Sequence, residues 1–180
     1  MKNQNASNLK QSMNLGVILG LVLICYSIIL YMLDLNLNTN MGYISYIIIA
    51  VTLFFTIKSY RDNYQNGFIT YSKALGTGTL ISLFASFLNA FYVYIFYTVI
   101  DKDAINKMKD MQVEQMLKNG MSEDQVELVA ESSQMFMTPV IMTISTVLVV
   151  TFIGFIISLI IAAVLKKEGD SFETEMTDIE

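Results

Sequence analysis

The sequence contains no histidine, and it has a single cysteine, Cys25, and a single proline, Pro139. Without histidine the chain can form neither a catalytic triad of the serine and histidine kind nor a histidine-ligated zinc site. One cysteine forms neither an intramolecular disulfide nor a cysteine metal cluster. These absences exclude several common nucleophilic and metal-dependent chemistries.

Charged residues are also absent from four long stretches, residues 11–33, 35–57, 74–100 and 132–165. Each is long enough to provide the roughly 20 apolar residues that cross a hydrocarbon layer of about 30 Å as a helix. Apolar residues make up 54% of the chain, above the ~45–50% of ordinary soluble domains. We predict an all-α membrane protein with a bundle of four transmembrane helices and a helical hairpin in the long third loop.

The chain is expected to form one membrane domain, residues 13–165, between two polar ends. Residues 1–12 are predicted to be a polar arm and residues 166–180 an acidic tail. Within the membrane domain, the predicted spans are residues 13–33, 41–57, 74–100 and 138–165, and the extracytoplasmic loop is 101–137.

The long loop carries helix boundary signals of its own. Gly120 is suited to end a first helix, and Ser122 with Gln125 forms a capping-box pattern that begins a second one. We expect this hairpin to lie on the outer mouth of the bundle. Whether the second helix continues into the fourth span is left open by the sequence.

Orientation follows from the distribution of lysine and arginine. The arm, the 58–73 connection and the tail hold seven cations, whereas the other two loops hold four. Loops rich in lysine and arginine stay in the cytoplasm. Both termini are therefore predicted to be cytoplasmic.

Small residues recur at four-residue spacing within the spans, which allows helix backbones to approach closely in lipid. This pattern is compatible with packing inside the bundle, with a dimer face, or with a narrow polar path lined by the third span. The candidate residues for helix packing or for such a path are Gly16, Gly20, Gly78, Ser82, Ser86, Asn89, Gly154 and Ser158.

Methionines are frequent between Met108 and Met142. Thioethers suit copper(I), and Met108 and Met111 share a helical face. Methionine also fills irregular apolar gaps and adapts at contact surfaces, and no histidine or cysteine lies nearby to complete a site. The sequence therefore favours packing or partner contact, and we predict no cofactor and no metal.

The connection after the second span carries a recognisable pattern: Tyr60-Arg61-Asp62, Gly67-Phe68-Ile69-Thr70-Tyr71, Ala74-Leu75 and Gly78. It resembles the bacterial membrane family called domain of unknown function 4199, in which Arg-Asp is followed by Gly-x-Ile-x-Phe/Tyr-x-x-Ala-Leu/Phe-x-x-Gly. The likeness extends over nearly the whole chain, although Thr138-Pro139 replaces the family's frequent Asn-Pro. The resemblance implies a bacterial inner (cytoplasmic) membrane location and implies no activity.

The same connection holds the candidate contact residues. Arginine at a membrane interface can reach lipid phosphate or pair with a carboxylate. The connection either fixes topology alone or forms a docking surface for a lipid headgroup or a partner protein. The candidate contact residues are Arg61, Asp62, Gly67, Phe68 and Tyr71.

The spans contain neither acids nor histidine, which excludes a carboxylate proton relay in the bilayer. We therefore expect a protein that is not an enzyme: an accessory or interaction protein of the inner membrane. The alternative is a small homo-oligomeric channel or transporter whose third span lines the path. Membrane lipids, a second copy or another membrane protein are the expected partners, and the net charge of −5 gives no reason to expect nucleic acid.

Overall fold

The computed structural model describes residues 2–36 and 38–167, so the predicted acidic tail beyond Lys167 lies outside the described residues. The described chain forms six α-helices and no strand, and a π-helical segment, Phe96–Ile100, continues the third helix. The helices are α1 (Lys2–Met32), α2 (Thr39–Tyr64), α3 (Tyr71–Ile95), α4 (Ala104–Lys118), α5 (Glu123–Gln134) and α6 (Pro139–Leu165).

Helices α1, α2, α6, and α3 with its π-helical extension are long and apolar enough to cross a membrane. The all-α class and the four candidate spans are thus confirmed. Helix α3 lies at the centre of the bundle, where it packs against α6 and α1, and α2 completes the bundle against α1 and α6. The four helices share one buried cluster that includes Leu19, Leu53, Ile81 and Ala162.

Two helices extend beyond the predicted spans. Helix α1 begins at Lys2, so the predicted polar arm is helical and continuous with the first span, and α2 continues to Tyr64 instead of ending near Ile57. The charge pattern marks where hydrocarbon ends, but helical hydrogen bonds can continue into the headgroup layer and water. Helix α2 ends where the backbone turns left-handed at Asn66 and Gly67, with φ of 52° and 83°.

The hairpin boundaries follow the sequence signals. Gly120 adopts a φ of 84° after α4, and Ser122 and Gln125 form a complete capping box at the start of α5. Helix α5 ends at Gln134 and does not run into α6. Thr138 is extended, as expected for a residue that precedes proline, and its side chain caps α6 by accepting a hydrogen bond from the Ile141 N–H.

Candidate interaction site

One end of the bundle carries a cluster of cations from three helices, which we call the basic end: Lys58, Arg61, Lys73, Lys166 and Lys167. Arg61 lies in the last turns of α2. Its Nε donates to Asp62 Oδ1 at 2.7 Å and its Nη1 donates to the Leu165 carbonyl at 3.4 Å. The last carbonyls of a helix lack intrahelical partners and attract cations. Arg61 therefore ties α2 to the end of α6.

A short backbone pairing joins the connection to the end of α6. The Ile69 N–H donates to the Lys167 carbonyl at 2.8 Å, and the Lys167 N–H donates to the Ile69 carbonyl at 2.9 Å. The Ile69 side chain is buried. The pairing also places the Lys167 ammonium 5.3 Å from the centre of the exposed Phe68 ring, within the range of cation–π attraction.

The turn between α2 and α3 is held by hydrogen bonds to one carbonyl. The N–H groups of Gln65 and Gly67 donate to the Arg61 carbonyl at 3.2 and 3.0 Å. The Gln65 side chain donates to the Tyr60 hydroxyl at 3.2 Å and accepts from Lys73 Nζ. These hydrogen bonds hold the turn in one conformation, and we call it the braced turn.

The five predicted contact residues differ in their exposure. Asp62 and Phe68 are exposed, and Arg61 and Gly67 are half-buried. Tyr71 is also half-buried, and its hydroxyl donates to the Leu159 carbonyl of α6 at 3.4 Å. It is the first residue of α3, and this hydrogen bond ties the start of α3 to α6.

The small polar residues of α3 lie against other helices. Ser82 and Ser86 are fully buried. Ser82 Oγ donates to the Gly78 carbonyl at 2.9 Å, and the Thr151 hydroxyl of α6 donates to Ser86 Oγ at 3.1 Å. Asn89 Nδ2 donates to the Ala85 carbonyl at 3.0 Å and to the Gly20 carbonyl of α1 at 3.4 Å.

The four predicted packing glycines all lie at close helix contacts. A Cβ at Gly154 would overlap Ser82, and a Cβ at Gly78 would overlap Ser158. In α1, a Cβ at Gly16 would lie 2.6 Å from Phe84 Cβ, and one at Gly20 would lie 2.9 Å from Leu88 Cδ2. Such distances are far below van der Waals contact, so these glycines set the separation of α3 from α6 and α1.

Sequence reasoning missed two features of the basic end. Lys166 and Lys167 enter the sequence argument only as cations of the tail, and Tyr60 only as part of a motif. Tyr60 is buried, and Lys167 pairs with Ile69. No short sequence pattern indicates a pairing between residues so far apart in the chain. The position of Tyr60 directly before Arg61-Asp62, in contrast, was a signal that Tyr60 belongs to the basic end.

These features define a helical membrane protein with four candidate spans, close glycine contacts and one strongly basic end. The family model described as "Protein of unknown function (DUF4199)" matches residues 14–167, and the chain belongs to this family. No curated protein and no solved structure is significantly similar to the chain. The motif that carried the resemblance lies at the basic end and in the first turns of α3.

Proposed function

We propose that the protein is a non-enzymatic interaction protein of the bacterial inner membrane, and that it binds an acidic partner protein at the basic end. The observation that carries this proposal is the braced turn between α2 and α3. It holds the exposed ring of Phe68 against the exposed Lys167 side chain, and Gln65 of the turn accepts a hydrogen bond from the exposed Lys73. A surface that is already ordered loses less conformational entropy when it binds.

The mixture of side chains favours a protein partner over a lipid headgroup. Tyr64 and Phe68 are exposed at this end, and aromatic residues and arginine are enriched in protein interfaces. Asp62 is also exposed, with 42% of its side chain accessible. Its carboxylate is paired with Arg61 and can accept further hydrogen bonds from a partner protein.

The proposed orientation places the basic end in the cytoplasm, with both termini on that side. The support is the positive-inside rule together with the position of the cations, because the ends of α2 and α6 and the first turn of α3 bring theirs to one end of the bundle. The proposal that the protein is not an enzyme rests on the charge-free stretches, which offer no carboxylate or amine for proton transfer.

Photo-crosslinking in native membranes tests the partner proposal. We expect p-benzoylphenylalanine at position 68 to crosslink one acidic protein, identified by mass spectrometry. The double variant Lys166→Glu/Lys167→Glu should reduce that adduct about tenfold, because opposed like charges weaken the complex. Lys102→Glu/Lys118→Glu, the same charge change on two exposed lysines outside the basic end, is the matched control and should leave the adduct intact.

Two results would overturn the proposal. One is an adduct found only with phospholipid, which would assign the basic end to the bilayer surface. The other is a protein adduct that survives the double reversal at full yield. Protease protection of each variant shows whether its topology is unchanged.

The alternative function, a homo-oligomeric channel lined by α3, is less well supported by the packing. Ser82, Ser86 and Asn89 are covered by α6 or α1 within a single chain. A path along them would require these helices to separate. The glycine contacts of Gly78 and Gly154 work against that separation.

Cysteine accessibility distinguishes the two functions. In a Cys25→Ser background, which removes the exposed native cysteine, we expect Ser82→Cys and Ser86→Cys to resist water-borne thiosulfonate reagents. Ser72→Cys, at an exposed position in the first turn of α3, is the reactive control. Labelling of positions 82 and 86 at the rate of position 72 would favour the channel.

A further inference from the structure

A cleft with a volume of about 700 Å³ opens at the end of the bundle opposite the basic end. We call it the outer cleft. It lies between the end of α1, the start of α2, the end of α3 with its π-helical extension, and α4, which covers it. Its volume falls within the roughly 300–1,000 Å³ of sites that hold small molecules.

The deep part of the outer cleft is aromatic and well ordered. Phe96 is nearly buried. Its ring packs edge-on against Tyr31 with centroids 5.1 Å apart and lies 5.9 Å from Tyr92. The π-helical segment also brings Tyr97 to the cleft, where its hydroxyl donates to the sulfur of Met108 at 3.6 Å. Single π-helical turns occur frequently at functional sites.

The shallow part of the outer cleft is polar but uncharged. Gln112 and Gln115 of α4 line it together with Asn36 and Asn38, which precede α2. None of the described residues that line the cleft is charged. Amide side chains both donate and accept hydrogen bonds, so this rim suits a neutral polar group.

Lys107 and Asp101, next to the lining residue Ala104, form an ion pair with each other. Lys107 Nζ donates a hydrogen bond to Asp101 Oδ2 at 3.1 Å, and this bond raises the pKa of Lys107. The charges of Lys107 and Asp101 are therefore paired with each other, and neither is free for a ligand.

The cleft extends from the loops along the first turns of the candidate span in α2. It is lined along α2 from Asn38 to Tyr46, eight residues that span about 12 Å at 1.5 Å per residue. Tyr43 and Tyr46 are exposed on α2, which leaves a lateral approach from the lipid. The polar rim thus lies at the loop end of the cleft, and the aromatic floor lies beside the candidate spans.

We propose that the outer cleft binds an uncharged single-chain amphiphile with a hydroxyl-bearing head, of the monoacylglycerol class. The head would meet the amides of Gln112, Gln115 and Asn38, and the upper chain would lie along Phe96 and Met108. A charged headgroup would lose its hydration without gaining an ionic partner. Methionine adapts to a flexible chain. This site is independent of the proposed interaction at the basic end.

Photolabelling in proteoliposomes tests the proposal with the full chain. The probe is a monoacylglycerol with a diazirine in its acyl chain, incorporated into phosphatidylcholine vesicles that carry the protein. After irradiation and proteolysis, mass spectrometry should place the label on peptides of the outer cleft. Unlabelled monooleoylglycerol should compete, whereas oleate and lysophosphatidylcholine should compete at least about tenfold less because their charged heads are desolvated.

Two glycines supply a variant and its matched control. Gly42 lines the outer cleft, Gly76 of α3 does not, and a Cβ at either position would meet no atom within 4 Å. Gly42→Phe should fill the cleft and reduce cleft labelling about tenfold, a change equivalent to about 1.4 kcal/mol. Gly76→Phe should label as the parent protein does.

A third variant tests the class of ligand. Gln112→Leu/Gln115→Leu removes the two α4 amides of the rim while keeping side chains of similar volume, and it should reduce the preference for monooleoylglycerol over oleate. Full labelling of a folded Gly42→Phe protein, equal competition by oleate in the parent protein, or label spread evenly over the lipid-facing surface would each overturn the proposal.

Discussion

Replacing Tyr60 by alanine is expected to lower the free energy of unfolding by about 3–5 kcal/mol, the range for truncating a buried aromatic side chain. The Tyr60 side chain is 1% exposed and belongs to the same buried cluster as Ile57, Ile69 and Leu165. Alanine would leave a cavity where α2, the turn and the end of α6 meet. Unfolding of the purified protein by dodecyl sulfate in mixed micelles, followed by circular dichroism, measures the change.

Two further variants isolate the cause. Tyr64→Ala removes the neighbouring ring, which is 48% exposed, and should cost less than about 1 kcal/mol. Tyr60→Phe keeps the ring and removes only the hydroxyl that accepts from Gln65, so it should cost about 0.5–1.5 kcal/mol. Equal losses for the two alanine variants would show that burial at position 60 does not stabilise the basic end.

The second large effect is expected at the contact between α3 and α6. Gly154→Ala should destabilise the protein by about 1–3 kcal/mol, the usual cost of overpacking, because the new Cβ would overlap the Cβ and hydroxyl of Ser82. The next nearest atom is Ser82 Cα, at 3.7 Å from that Cβ. The double variant Gly154→Ala/Ser82→Gly removes the overlapping atoms and should recover much of the loss.

Unfolding by dodecyl sulfate, as for Tyr60, measures the stability of the single and double variants. Gly76→Ala is the control. Gly76 lies in α3, where a Cβ would meet no atom within 4 Å, so alanine should be neutral or stabilising through its higher helix propensity. If Ser82→Gly failed to relieve Gly154→Ala at all, the close approach of α3 and α6 at this point would be contradicted.

The spans could be predicted because hydrocarbon imposes a simple rule on composition. A charged side chain is costly there, so long charge-free stretches indicate helices whatever their neighbours are. The same rule does not locate the ends of the helices α1 and α2, since a helix can continue past the hydrocarbon with charged residues such as Lys58 and Arg61. Local signals succeeded where one motif acts by itself, as in the capping box of Ser122 and Gln125.

The candidate sites were only partly accessible from the sequence. Four-residue spacing singled out the small residues of α3 but left their partners open. The structure pairs Ser82 with Gly154 and Ser86 with Thr151. The convergence of the tyrosines of α2 and α3 with the amides of α4 around one cleft has no counterpart in any short segment.

The sequence by itself determined that the helices suit a lipid surrounding. It also determined the helical class, the family and the location of the charges, because each depends on the order of residues within single helices or loops. The tertiary structure alone decided which helix each glycine contacts, that Ile69 pairs with Lys167, and that an uncharged cleft lies at one end of the bundle and a braced basic surface at the other. Those features depend on how helices distant in sequence pack, and lipid, which is as apolar as the spans, gives the sequence no hydrophobic contrast that would mark the packed faces.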